Sequence, residues 1–245
     1  MQSRLRLISG KLVDVLNLGP GDVLAYDIAW ALAQTNRYNG HTPVQWSVLS
    51  HVGLAYLLAS SECQQQGRAM NPYDALGLLL HDAAEAYIGE MVGPLKNTEY
   101  MENYRQLEKR VLTAILFRFG INPNADPYPI DWEFVKRYDK QAAHVEYYHF
   151  HPELRGTEGM IPPVYPLNRY PKLALAKPEQ FLSVLKPMAI NVGAENVGAL
   201  FALPEKLHPY IQTHQEESEA QETSREGDDQ LPAPPDLSSV ENLHI

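Results

Sequence analysis

The sequence predicts an all-α fold with a short hairpin or extended turn near its N-terminus and a disordered acidic tail at its C-terminus. Three observations support this class. Apolar residues recur at helical spacing in several long segments, and Gly and Pro residues mark the ends of those segments. Residues 214–245 hold nine acids against one base, so most of the net charge of −10 lies there. Such a segment has too few apolar residues to order itself.

The first part of the chain predicts a turn followed by two helices. Ser9-Gly10 lies between short apolar runs, which favours a hairpin. Asp27 opens a run of helix-forming residues and suits a helix cap. Pro43 predicts the start of a second helix that runs to about Ser60. One face of that helix is apolar apart from a histidine; its members are Val44, Val48, His51, Ala55 and Leu58. His51 is therefore expected to point inward.

A third helix is predicted between Pro72 and Gly89, and it contains the most informative segment of the chain. His81 and Glu85 are four residues apart and share a face, while Asp82 lies roughly one-quarter turn away from His81. All three follow a row of leucines. Because a buried charge is costly unless it is paired or bound to a metal, these side chains suggest a ligand set.

The remaining helices follow from the same signals. A fourth covers Glu99 to Phe119 and ends at Gly120. A fifth, from about Ile130 to Phe150, carries Asp139 and Glu146, which are seven residues apart and therefore near one face. The Pro-rich stretch 152–171 reads as an extended connection, and helical segments follow near 178–188 and 194–203.

Composition excludes several classes of protein. The single cysteine, Cys63, allows neither a disulfide framework nor a thiolate metal site, so a reducing, cytoplasmic setting is expected. The N-terminal residues lack a signal-peptide core, and no apolar run is long enough to cross a membrane. Without its tail the chain is nearly neutral, which argues against binding to duplex nucleic acid. We expect one domain over residues 1–210, with its motifs in about 9–150 and a helical extension over about 172–210, followed by the disordered tail 211–245.

Ligand chemistry gives the first functional prediction. His51, His81, Asp82 and Asp139 would bring two imidazoles and two carboxylates together from three helices. A nitrogen and oxygen site of this kind suits one catalytic divalent transition metal, which could be Mn, Co, Fe, Ni or Zn. Such an ion makes hydroxide available near neutral pH, and Glu85 lies one turn beyond His81 as an acid/base group.

These residues resemble the HD-domain metal-dependent phosphohydrolases, and in particular the small bacterial and phage nucleotidases related to deoxynucleoside 5′-monophosphatases and dATP triphosphohydrolases. The similarity runs from about Ser9 to Glu146. It is carried by His51, His81-Asp82, Glu85 and Asp139, and by the flanking segments Asp27-Ile28-Ala29, Asn36-Arg37-Tyr38-Asn39-Gly40-His41-Thr42, Ser47-Val48-Leu49-Ser50-His51 and Gly89-Glu90-Met91-Val92-Gly93-Pro94-Leu95-Lys96.

The resemblance implies a role for each matching position. His51, His81, Asp82 and Asp139 would bind the metal, with Asp82 also catalytic, and Glu85 would orient or deprotonate the attacking water. The substrate side would be formed by Arg37 and Lys96 on the phosphates, Tyr38 beside the base or sugar, and Glu90, where the monophosphatases usually carry Asp. Two residues would lie behind this first layer: His41, as a support or turn residue, and Glu146, through hydrogen bonds or an arginine such as Arg155.

The resulting prediction is a metal-dependent phosphohydrolase that acts on (deoxy)nucleotides, as a 5′-nucleotidase or a dNTP triphosphohydrolase. Two alternatives stay open at this point. The same site could serve a phosphodiesterase or a phosphatase of non-nucleotide substrates, or it could belong to a non-catalytic, nucleotide-binding regulatory module. A homo-oligomer is compatible with the apolar helix faces, and the cytoplasm expected for the protein would be that of a host cell if a phage encodes it.

Overall fold

Helices make up most of the chain in the computed structural model, which describes residues 3–157, 162–163 and 177–204. The predicted helical class is confirmed, and so is the small N-terminal hairpin. The strands are β1 (Arg4–Arg6) and β2 (Leu12–Asp14). The helices are α1 (Ala25–Gln34), α2 (Val48–Gln65), α3 (Pro72–Leu80), α4 (Glu85–Ile88), α5 (Gly93–Lys96), α6 (Glu102–Arg118), α7 (Trp132–Phe150), α8 (Pro178–Asn191) and α9 (Val197–Leu200).

The hairpin is fastened to the first helix by a buried aspartate. Strands β1 and β2 are antiparallel, and Gly10 adopts a φ of +86° in the turn between them. Asp27 accepts hydrogen bonds from the backbone N–H and the hydroxyl of Ser9, each at 2.9 Å. The prediction that Asp27 caps α1 is wrong, because it lies inside the first turn and its carboxylate is committed to the hairpin.

The start of α2 also differs from the prediction. Pro43 lies in an exposed loop, and the helix begins at Val48 instead. Ser47 caps it by accepting a hydrogen bond from the backbone N–H of Ser50 at 3.1 Å. A serine oxygen satisfies a free N–H at the helix start, whereas a proline only supplies a suitable φ, so the serine determines the boundary.

The predicted third helix is interrupted where its polar residues lie. The α-helix ends at Leu80, and the chain continues through turns with hydrogen bonds between residues three apart, from Ala83 N–H to Leu80 O at 2.9 Å and from Glu85 N–H to Asp82 O at 3.0 Å. These bonds are of the 3₁₀ type, which turns the chain more tightly than an α-helix. His81 and Glu85 therefore do not share one α-helical face; they lie on either side of this tight segment.

A core of leucines, valines and aromatic rings holds α1, α2, α3, α7 and α8 together. Helix α3 packs tightly at Gly77 against the start of α7 and the residue Ile130 that precedes it. A Cβ atom placed there would lie 2.7 Å from Cγ2 of Ile130 and 3.0 Å from Cγ2 of Val135. Only glycine fits this contact, which fixes how far the end of α3 stands from α7.

The later elements follow the prediction. Helix α6 ends at Arg118 with Phe119 as its C-cap residue, and Gly120 has a φ of +88°, while α7 is capped by Asp131. Most of the stretch 152–171 and all of the predicted tail lie outside the described residues, and the described part belongs to one unit, Met1–Pro204. Within that described part, no helix is long and apolar enough to cross a membrane.

Candidate metal centre

Three helical segments bring together a cluster of side chains that could bind a metal. His51 lies in the first turn of α2, His81 follows the last residue of α3, and Asp139 lies in the middle of α7. Nε2 of His51 is 3.0 Å from Oδ1 of Asp139, and Nε2 of His81 is 4.0 Å from the same oxygen. One donor atom from each residue lies within 4.8 Å of the others, so this cluster could hold a metal ion.

Both imidazoles present the same nitrogen to the cluster. Nδ1 of His81 is 2.7 Å from the carbonyl oxygen of Leu78, and Nδ1 of His51 is 2.8 Å from Oε1 of Glu146. Because a carbonyl and a carboxylate accept hydrogen bonds, each Nδ1 carries a proton, and Nε2 is the atom that a metal would bind in place of a proton. Among the described residues, the buried Nε2 of His81 has no hydrogen bond of acceptable geometry. A buried imidazole with its other nitrogen held by an acceptor fits a metal ligand.

Asp82 lies beside the same cluster. Its Oδ2 atom is 3.2 Å from Nε2 of His81 and 3.8 Å from Nε2 of His51. Burial raises the pKa of Asp82, but the positive charge of His81, followed by those of His51 and Arg37, lowers it well below its ordinary value. The carboxylate is therefore ionised and adds an oxygen donor next to the two nitrogens.

Two further carboxyl groups, Glu85 and Glu90, have raised pKa values. Burial, with the nearby charges of Asp82 and Glu90, raises the pKa of Glu85 to about 10. Burial also raises the pKa of Glu90, although Arg37 opposes this change. Within the part of the chain that the structure describes, Oε2 of each glutamate is buried without a hydrogen bond. Glu85 is therefore a protonated, neutral acid at neutral pH when no cation is bound.

Arg37 and Tyr38, predicted on the substrate side, both contact Glu146. Nε of Arg37 donates to Oε2 of Glu146 at 3.1 Å, and the Tyr38 hydroxyl donates to the same oxygen at 2.9 Å. Nη1 of Arg37 lies 3.8 Å from both Asp82 and Glu90. The arginine is thus next to the cluster, but three carboxylates surround it, while Tyr38 has its hydroxyl committed to Glu146.

The other two predicted positions lie further from the cluster. Lys96 pairs with Glu108 of α6 at 2.5 Å. Burial lowers the pKa of Lys96, but the hydrogen bond and charge of Glu108, with smaller contributions from Asp82 and Glu85, raise it above its ordinary value. His41 is exposed at the end of the 3₁₀ turn Arg37–Gly40, where its backbone N–H donates to Tyr38 O. The structure supports the turn-forming interpretation of His41 rather than a supporting contact from its side chain.

Glu146 is the buried support that sequence reasoning anticipated, but with a different arginine. Arg37 is its partner, whereas Arg155 donates from Nε to the backbone oxygen of Tyr148. Sequence reasoning missed Trp46, whose Nε1 donates to Oε1 of Glu146 at 2.8 Å. A signal was available, since a tryptophan beside a helix start carries an N–H that needs an acceptor once it is buried.

Comparison with known proteins places the chain beside two bacterial relatives. An uncharacterized protein of Rhodobacter capsulatus, RCAP_rcc00048, is 33% identical over 143 residues, which cover 58% of this chain and 69% of that protein. The uncharacterized protein YfdR of Escherichia coli K12 is 28% identical over 121 residues, which cover 49% of this chain and 61% of YfdR. No protein-family model matches the sequence. The extent and identity of the first match show that the chain belongs to the family of the Rhodobacter capsulatus protein.

Proposed function

We propose that this protein is a divalent-metal-dependent phosphohydrolase of the HD class that acts on (deoxy)nucleotides, as a 5′-nucleotidase or a dNTP triphosphohydrolase. The observation that carries the proposal is the convergence of His51 Nε2, His81 Nε2 and Asp139 Oδ1, with Asp82 beside them. This donor set suits a transition metal that keeps coordination positions open for water and substrate.

The charge of the pocket supports a metal requirement. Asp82, Asp139 and Glu146 have lowered pKa values and are ionised, and the imidazoles of His51 and His81 contact them together with Arg37. A metal can bind only to neutral imidazoles, and once both histidines are neutral the three carboxylates outnumber Arg37 and would repel an anionic phosphate. When bound, a divalent ion supplies the missing positive charge, lowers the pKa of water and stabilises negative charge on phosphoryl oxygens.

The residues of the chain have distinct parts in such a reaction. Arg37 directs Nη1 towards Asp82 and Glu90, where a guanidinium can stabilise charge that builds on a phosphoryl oxygen. Glu85 carries a proton on its own carboxyl group, whose buried Oε2 atom makes no hydrogen bond within the described residues. It can give this proton to a leaving oxygen or, once ionised, take one from water.

The test is turnover of a nucleotide panel by metal-stripped protein that has been resupplied with Mn²⁺, Co²⁺ or Zn²⁺, with products separated by chromatography. Inorganic phosphate from a deoxynucleoside monophosphate identifies a 5′-nucleotidase, and tripolyphosphate from a dNTP identifies a triphosphohydrolase. Turnover of phosphodiesters or non-nucleotide phosphates alone would identify a phosphodiesterase or a phosphatase of non-nucleotide substrates instead. Nucleotide binding without any product would favour a regulatory module.

Two variants connect the activity to the site. We expect Asp82→Ala to lose both metal and hydrolysis, because it removes a charged donor. Glu85→Ala is expected to keep the metal and lose hydrolysis, because Glu85 acts on protons. The exposed Glu133→Ala serves as a control for expression and folding. Full activity in Asp82→Ala would refute the proposal.

A further inference from the structure

Glu146 is the most completely hydrogen-bonded carboxylate near the metal centre. It is fully buried on α7, and its two oxygens accept from four different residues. Oε1 accepts from Trp46 Nε1 and His51 Nδ1, both at 2.8 Å, and Oε2 accepts from Arg37 Nε at 3.1 Å and the Tyr38 hydroxyl at 2.9 Å. Each oxygen therefore has its own pair of donors.

The Oε1 atom of Glu146 orients His51, one of the proposed metal ligands. A carboxylate only accepts, so the proton of the His51 imidazole is held on Nδ1 and Nε2 faces His81 and Asp139. Trp46 donates a second hydrogen bond to Oε1, and its ring packs edge-on against Phe150 with 5.5 Å between the ring centroids. The orientation of His51 is thus fixed by a group that does not itself enter the ligand set.

The Oε2 atom of Glu146 positions the guanidinium of Arg37. Arg37 and Tyr38 begin a turn in which Tyr38 and Asn39 adopt φ values of 56° and 52°. Asparagine tolerates this left-handed conformation, but it is unfavourable for a bulky residue such as tyrosine. The bonds of Arg37 and Tyr38 to Oε2 stabilise this turn, and the backbone N–H of Arg37 also donates to Trp46 O at 2.9 Å. Arg37 is thereby held with Nη1 at 3.8 Å from Asp82 and from Glu90.

The two oxygens belong to one carboxyl group, which ties the orientation of a ligand to the position of the arginine. Glu146 also lies two turns after Asp139 on the same helix, so α7 supplies both a ligand and the support of another ligand. Burying a charge solely to attach a loop would be unfavourable, since well-packed apolar side chains do this at least as well. The arrangement is better explained by what it does to His51 and Arg37.

We propose that Glu146 is a positioning residue that couples the metal site to Arg37, with Oε1 setting the metal-binding face of His51 and Oε2 setting the place of the guanidinium. The proposal rests on the proposed function, because it assumes that this site binds a metal. It assigns separate effects to the two oxygens, and these effects can be measured separately.

The experiment is calorimetric titration of the metal-stripped full chain with Mn²⁺ or Zn²⁺, together with the Tm of the metal-free proteins and steady-state kinetics. We expect Glu146→Gln to weaken metal affinity by about 10- to 100-fold, which is the usual effect of losing the partner of a ligating histidine. Trp46→Phe should weaken metal affinity to a smaller extent. Tyr38→Phe should leave metal affinity unchanged and raise KM or lower kcat, because it affects Oε2 alone.

The outcomes separate the hypotheses. A merely structural role would lower Tm in all three variants and leave the metal affinity of the folded proteins unchanged, which would overturn the inference. If Glu146→Gln does not fold, the other two variants decide. Weaker metal affinity in Trp46→Phe than in Tyr38→Phe supports the inference, and the same metal affinity in these two variants overturns it. A wild-type chain that binds no metal would overturn the proposed function as well, whereas wild-type binding with an unaffected Glu146→Gln would overturn this inference alone.

Discussion

Glu85→Gln should stabilise the metal-free protein, and the gain should grow with pH. The side chain is buried, and its pKa is raised from the ordinary value of 4.5 to about 10. Above pH 4.5 the unfolded chain releases this proton while the folded chain keeps it, so the wild type loses stability as pH rises from 4.5 through about 10. Glutamine has the same shape and does not ionise, so the variant escapes this loss.

The magnitude follows from the difference in pKa. Each pH unit in this window lowers the wild-type free energy of unfolding by about 1.4 kcal/mol, which accumulates to about 3 kcal/mol at pH 7. The glutamine amide takes the place of a carboxyl group whose Oε2 atom makes no hydrogen bond within the described residues, so no bond from that atom is lost. We therefore expect the variant to be more stable by up to about 3 kcal/mol at pH 7 and nearly equal to the wild type at pH 4.5.

The assay is urea unfolding of both proteins in chelator at pH 5, 6, 7 and 8. Glu99→Gln, at an exposed position, is the matched control and should stay within about 0.5 kcal/mol of the wild type at each pH. A gap between Glu85→Gln and wild type that does not change with pH, or a variant that is less stable at pH 7, would refute the reasoning. The same variant should lose hydrolysis, since it has no carboxyl group to exchange a proton.

Three other changes test the fold and the site. Gly77→Ala should lower the free energy of unfolding, measured in urea, by about 1–2 kcal/mol, because overpacking outweighs the gain in helix propensity. Gly198→Ala is the control: its Cβ would meet nothing within 4 Å, so this variant should be neutral or stabilising. Burial lowers the pKa of His51, but Glu146 and Asp139 raise it to about 9, so its contribution to stability is complete below pH 6.5 and is lost as pH rises through 9. Unfolding of metal-free Glu85→Gln between pH 6 and 10 should show this loss, and a flat profile would contradict it. Lys96→Met should raise KM several-fold without changing metal affinity by calorimetry, and an unchanged KM or a changed metal affinity would contradict this prediction.

The helical class and most helix positions were predictable because they depend on local spacing. Helix α7 and the end of α6 at Gly120 follow from apolar periodicity and from glycine. The boundary of α2 was not predicted well, because a proline signal and a serine cap compete within five residues and only the serine makes a hydrogen bond in the structure. When two helix-start signals lie this close together, the local sequence does not show which of them the helix uses.

The candidate site was predictable in its composition but not in its connections. His51, His81 and Asp139 meet as expected, since each is a polar residue on an otherwise apolar surface. The pairing of Arg37 with Glu146 could not be predicted, because the two residues are 109 positions apart in sequence and close only after packing. The 3₁₀ segment after Leu80 consists of local hydrogen bonds, but the apolar spacing of this region is equally compatible with a continuous α-helix. For Trp46 the sequence showed that its N–H would need an acceptor, but not that Glu146 would supply it.

The candidate ligands come from α2, the end of α3 and α7, so a metal bound to them would cross-link three separate segments of the fold. Such an ion would stabilise the folded state, and the gain would grow with the logarithm of its free concentration. The free energy of unfolding would then depend on the metal concentration. A chelator would loosen the contacts among these three helices before any substrate is involved.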